Sequence, residues 1–180
     1  MSSVRSFAPW FAYGIATAVF GWRVAAAIAL VAAVVLVVRR TARADVFAMT
    51  AVGFFAGLTV VAVAAPGGSF YRYVPALVPA ALTVAALRSV AVGRPFTIEF
   101  AKRVAPLEYW DTPLFLHINT VLTMVWAASF ALTAVVMGGV LMLAPHLAGW
   151  LILVQVAAFI VPMRISRWYP AVAAGRVLAA

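Results

Sequence analysis

The sequence contains no cysteine and very little charge. Disulfides, thiolate metal sites and cysteine nucleophiles are excluded together, so sulfur redox chemistry plays no part in what this chain does. Charged residues make up only 9% of the 180 positions, and the acids number four: Asp45, Glu99, Glu108 and Asp111. A water-soluble domain carries roughly a quarter charged residues, so a solvated surface cannot be built from this composition. What replaces charge is apolar mass, at 67% hydrophobic residues and a mean hydropathy of +1.13. In hydrocarbon the backbone must satisfy its own polar groups, and the expected fold is all-α: one integral membrane domain over 1–180, a polytopic bundle of five to six transmembrane helices.

Spans can be read against the roughly 20 residues that cross about 30 Å of hydrocarbon. Val46 to Ala65 is one, closed by a Pro66-Gly67-Gly68-Ser69 turn, and Tyr71 to Ala91 is another. Phe115 to Met163 runs without a formal charge and is long enough for two. Its return turn is expected near Ala144-Pro145-His146, with Gly138-Gly139 as the competing position. Phe7 to Val38 is interrupted only by Gly21-Trp22-Arg23. As one straight helix it would reach about 48 Å, so a hairpin of two short helices turning there is preferred, the first not crossing fully. A single long tilted span is the alternative, and a cleaved signal peptide ending near Ala25-Ala26-Ala27 a third reading.

The thirteen Lys and Arg give a net charge of +9, and all of them except Arg23 and Arg72 fall on one side of the six-span arrangement. The positive-inside bias makes that side cytoplasmic, with the C-terminus on it. Arginines at membrane ends also attract anionic lipid headgroups, which are therefore expected partners. Nucleic acid is not, because no soluble domain exists on which to arrange phosphate contacts.

Little in the sequence carries chemistry. None of the four acids lies within a span, which disfavours proton-coupled transport through a buried carboxylate. His117 and His146 are separated by most of a membrane thickness and cannot share a metal; no metal or cofactor is expected. Glu108, Asp111 and His117, with Tyr109, Trp110 and Asn119, form a polar cluster where the chain re-enters the membrane. An interfacial anchor accounts for it more economically than catalysis.

The longest non-spanning segment, Gly93 to Pro113, is the candidate interaction surface. Pro95 can open a short cytoplasmic interfacial helix in which Phe96, Ile98, Phe100, Ala101 and Val104 alternate with Glu99, Lys102 and Arg103. Glu99 precedes Lys102 and Arg103 at salt-bridge spacing. The segment is either a solvated connector or a docking surface, with Arg94, Pro95, Phe96, Glu99, Lys102, Arg103 and Trp110 its candidate contacts. Within the spans, Gly53 and Gly57 form a GxxxG for packing inside the bundle or, alternatively, for homodimerisation. Pro75 fits a first helical turn, and Pro79 should bend its helix. Asn119, Thr120, Thr123, Ser129 and Thr133 form an uncharged polar stripe suited to helix packing or to lining a pathway.

In the order of these features the chain resembles the bacterial intracellular septation protein A family, or an uncharacterised sister group of it. The residues concerned are Pro9, Tyr13 to Ala18, Arg39-Arg40, Gly53 to Thr59, Phe70-Tyr71-Arg72-Tyr73, Gly93-Arg94-Pro95-Phe96-Thr97, Trp110, and Leu116 to Trp126 with Asn119. Arg103 to Pro113 departs most from the family pattern, and the loops are Arg-rich where the family's are Lys-rich. The resemblance implies a small inner-membrane protein of the bacterial cell envelope, connected with septation and envelope integrity through other membrane proteins and without catalytic activity. The expectation is therefore a non-enzymatic interaction protein. A small carrier or channel for a neutral or hydrophobic solute is the alternative, and a lipid-modifying enzyme using Glu108 to Asn119 comes third.

Overall fold

The computed structural model describes residues 7–39, 46–65 and 68–178. Arg5, Arg40, Arg43, Asp45 and the Pro66-Gly67 turn, all used above, lie outside the described residues, as does the side chain of Arg176. The chain is 89% helical with no strand among the described residues, and five of its helices are long and apolar enough to cross a membrane. It is an all-α, multi-pass membrane protein. The helices are α1 (Ala8–Arg39), α2 (Val46–Ala64), α3 (Val74–Ala91), α4 (Ile98–Ala101), α5 (Pro113–Leu143) and α6 (Leu151–Leu178), joined in part by the 3₁₀ turns Ser69–Tyr73, Leu107–Tyr109 and Pro145–Trp150. They fall into two compact units, Met1–Tyr71 and Arg72–Ala180.

In the first unit α1 is two helical arms joined at Gly21, whose φ of 76° and ψ of 166° only glycine adopts without strain. The contacts of the arms give their directions. Phe7 lies against Phe47 at the start of α2, with ring centroids 4.8 Å apart, and Trp22 stacks on Tyr71, beyond the end of α2. The first arm therefore runs with α2, and the second returns against it to Arg39. This is the expected hairpin at Gly21. The first arm, residues 8–20, rises only about 20 Å and falls short of the hydrocarbon thickness, which is why five full-length spans remain.

The unit's interior is made of small and flat side chains. Ala25, Ala26, Ala29 and Ala33 are wholly buried along one face of the second arm, where the absence of bulk lets helices approach closely. Trp10 and Tyr13 pack on Phe55, and Trp10 also stacks on Phe54. Gly53 and Gly57 do not take part. Both are exposed, and a Cβ placed on either would meet nothing within 4 Å, so the expected GxxxG packing does not occur inside this unit. The physical reason is angular: α2 buries Phe47, Ala51, Phe55, Leu58 and Ala62, and both glycines fall on the other face.

The second unit is organised around α5, which packs along both α3 and α6. Ala76, Met137, Leu141 and Leu151 form a buried cluster supported by Tyr73, Val140 and Val154. The return turn lies at Ala144, as preferred, and Gly138 and Gly139 are inside α5. Gly138 is where α3 comes close, since a Cβ there would lie 3.9 Å from that of Ala76. Pro75 sits in the first turn of α3 and Pro79 is buried inside it. Pairing Ala76 with Gly138 in antiparallel helices brings Ala91 level with about Thr123. The first ten residues of α5 therefore extend about 15 Å past the end of α3. The last helix continues past the charge-free region, through Pro162 and Pro170 to Leu178. Pro162 removes the amide that would bond the Ala158 carbonyl, and the Ser129 hydroxyl donates to that carbonyl instead, at 2.8 Å. A neighbouring helix thus supplies the bond that proline takes away.

Candidate functional site

The segment from Gly93 to Thr112 forms a strap over the projecting start of α5. It begins at a helix stop written into the sequence. Gly93 adopts a φ of 69°, its amide bonds to Val90 O at 2.9 Å, and the Arg94 amide bonds to Ser89 O at 2.9 Å. This is a Schellman ending, with glycine at the left-handed position and Pro95 preventing continuation. Ser89 then serves twice, accepting the Phe96 amide at 3.2 Å while donating to Ala86 O at 2.6 Å.

Thr97 fastens the strap. Its side chain is buried, and its hydroxyl donates to the Asn119 carbonyl at 2.8 Å. The Thr123 hydroxyl lies 2.9 Å from Thr97 Oγ1 and, with the Thr97 proton committed to Asn119, is the donor of that pair. Asn119 Nδ2 donates back to Phe115 O at 2.8 Å, and its Oδ1 is buried without a partner. Phe96 meets Trp126 edge-on, and Trp126 also contacts Phe130 and Phe159 while its indole donates to Ser166 Oγ at 3.1 Å. Strap, α5 and α6 thus meet at Trp126.

The expected interfacial helix is a single turn, Ile98–Ala101. Two features stop it. The Thr97 hydroxyl is turned to α5 and makes no capping bond, and beyond Lys102 the amides of Arg103 and Val104 bond three residues back in 3₁₀ fashion ahead of Pro106. Lys102 Nζ sits 4.8 Å from the Trp110 ring centroid and the Arg103 guanidinium 5.8 Å from that of Phe100. The Trp110 indole donates to Ala105 O at 3.1 Å and closes the strap on itself. Thr112 then caps α5, accepting the Phe115 amide at 3.2 Å, with Pro113 opening the helix.

The candidate residues therefore divide. Arg94, Glu99 and Arg103 are exposed and Lys102 and Trp110 half-buried, whereas Pro95 is buried and Phe96 is engaged with Trp126. The last two seat the strap, which corrects their assignment to its outer surface. In their place the structure exposes Val104 (86%), Leu107 (75%) and Tyr109 (52%). Reading by residue type missed Thr97, Ser89, Ser166 and the pairing of Ser129 with Pro162. Only the last left a trace in the sequence, a proline in one span facing a serine in the preceding one.

The polar stripe of α5 is engaged in hydrogen bonds. Thr120 donates to Leu116 O, Thr133 to Ser129 O, Ser129 to Ala158 O, and Thr123 is wholly buried against Thr97. Glu108, Asp111 and His117 are all exposed, and no hydrogen bond joins them among the described residues. Among the described residues no group of three or more His, Asp or Glu is placed to hold a metal ion. No protein-family profile, curated protein or solved structure matches the chain.

Proposed function

We propose that this protein is a non-enzymatic interaction component of the bacterial inner membrane, acting in cell-envelope maintenance or septation, with the strap as its docking face for other membrane proteins. The observation that carries the reading is the way the strap is built. One edge is fastened to α5 through Thr97 and Phe96, while the other leaves Val104, Leu107 and Tyr109 open beside Arg94, Glu99 and Arg103. Exposed apolar side chains outside a span, rimmed by charge, are the composition of a contact surface. A cytoplasmic strap is supported by the basic residues of the second unit: Arg88, Arg94, Lys102, Arg103, Arg164 and Arg167 belong to the strap end and Arg72 to the other.

Bonding of the α5 hydroxyls to carbonyls and to Thr97 supports a packing role for the stripe, and the separate exposure of Glu108, Asp111 and His117 supports reading them as surface residues. The test is photo-crosslinking in cells from positions 104 and 107, with position 135 on the exposed face of α5 as the control. Recovery of the same envelope proteins from both strap positions and not from 135 is expected. Lipid adducts alone from the strap would overturn the reading.

A further inference from the structure

The exposed side of α6 is patterned from end to end. At 100° per residue, Leu153, Val156, Ile160, Arg164, Arg167 and Trp168 fall within about 60° of one line along the helix. All six are exposed. The opposite side holds α6 in this orientation: Ala158 O accepts from Ser129, Phe159 packs on Trp126 and Phe130, and Ser166 accepts from the Trp126 indole. From Leu153 to Arg164 the helix rises about 17 Å, the depth of the hydrocarbon in one leaflet. An apolar track of that length thus ends in two arginines three residues apart, neighbours on the helix surface, with an exposed indole directly beyond them.

No Asp or Glu lies between Asp111 and the end of α6, so the helix itself supplies no carboxylate side chain for the pair. We propose that this face binds one phospholipid with a net negative headgroup. Its phosphate lies on the guanidinium groups of Arg164 and Arg167, its acyl chain along Ile160, Val156 and Leu153, and the headgroup beyond the phosphate against Trp168. Guanidinium forks match phosphate oxygens in pairs, and Trp favours the headgroup depth. Free phosphate would use the arginines and leave the track unexplained; the track is the reason for choosing a lipid. The inference rests on the orientation argued above, with α6 crossing the bilayer. It is independent of the protein partner, because the strap and this face are different surfaces.

The test uses the full chain in neutral detergent and native mass spectrometry, with phosphatidylglycerol and phosphatidylcholine of identical acyl chains. Retention of phosphatidylglycerol over phosphatidylcholine is expected to be about thirtyfold, and to fall to about twofold in Arg164→Gln/Arg167→Gln. Arg72→Gln, at the other end of the unit, should leave the preference unchanged, and Arg164→Lys/Arg167→Lys should keep most of it. Unaltered preference in the glutamine variant would overturn the proposal, as would an equal loss in the Arg72 or the lysine variant. Displacement of the lipid by excess inorganic phosphate would overturn the assignment to a lipid. Loss of the strap crosslinks with lipid preference intact would instead count only against the protein-docking role.

Discussion

The two units are held by different kinds of contact. In the first, alanines and aromatic rings meet, and the side-chain hydrogen bonds of Thr17, Thr50 and Thr59 all return to their own helix. In the second, hydroxyls cross between elements, from Thr97 to Asn119, from Thr123 to Thr97 and from Ser129 to Ala158. Among the described residues each unit also buries one side-chain polar atom without a partner, the Trp10 indole nitrogen in the first and Asn119 Oδ1 in the second. Lipid provides no hydrophobic drive between helices, so packing area and cross-helix hydrogen bonds are the two means of assembly available, and the second unit adds cross-element hydroxyl bonds to its packing. The first unit should therefore be sensitive to volume and the second to the loss of single hydroxyls.

Phe55→Ala is the strongest way to break that contrast, because it empties the space shared by Trp10, Tyr13 and Phe54. It should cost about 3 kcal/mol, read from unfolding in detergent followed by circular dichroism, and leave the strap unchanged. Gly93→Ala comes next. A Cβ there meets no atom, so the expected loss of about 1–2 kcal/mol is that of forcing an L-residue into the left-handed region. Thr97→Val keeps the shape of the fastening and removes both of its hydrogen bonds. With no native cysteine to interfere, thiol labelling at Ile98→Cys should accelerate about fivefold, corresponding to about 1 kcal/mol; an unchanged rate would show that the aromatic contacts alone seat the strap. Ser129→Ala strips the Ala158 carbonyl of its donor and should lower stability by about 1 kcal/mol, within the range of membrane cross-helix bonds. The same substitution paired with Pro162→Ala should recover most of it, since the α6 amide then returns. Smallest is Gly57→Ala, on the open face of α2, where chain stability should move by less than about 1 kcal/mol and toward greater stability through helix propensity. If Gly57 instead serves a dimer, crosslinked dimer in membranes will fall while stability holds.

Several of these features could be read from residue order. A bundle of five to six spans, the preferred hairpin at Gly21, the turn at Ala144 and the end of α3 at Gly93-Arg94-Pro95 follow from apolar length and from glycine and proline, which act locally. The strap was located by its charges, but its working parts were not. Thr97 is one of many threonines, and its role depends on Asn119 and Thr123, more than twenty residues away. Pro95 and Phe96 look like surface residues beside Arg94 until the chain turns them inward. Gly53 and Gly57 have packing spacing, yet the large side chains of Phe47 and Phe55 decided which face of α2 turns inside.

Composition and the spacing of breakers were sufficient to make this an all-α membrane protein with its basic residues bordering the spans. A span needs only enough apolar residues in sequence, and its ends need only charge, glycine or proline, so both properties are local. Tertiary structure alone decided which polar groups meet: Ser129 with the carbonyl left by Pro162, Thr97 with α5, and Arg164 and Arg167 on the face of α6 that α5 leaves open. Those pairings depend on the angle at which one helix lies against another, and side-chain packing sets that angle across distances that residue order does not encode.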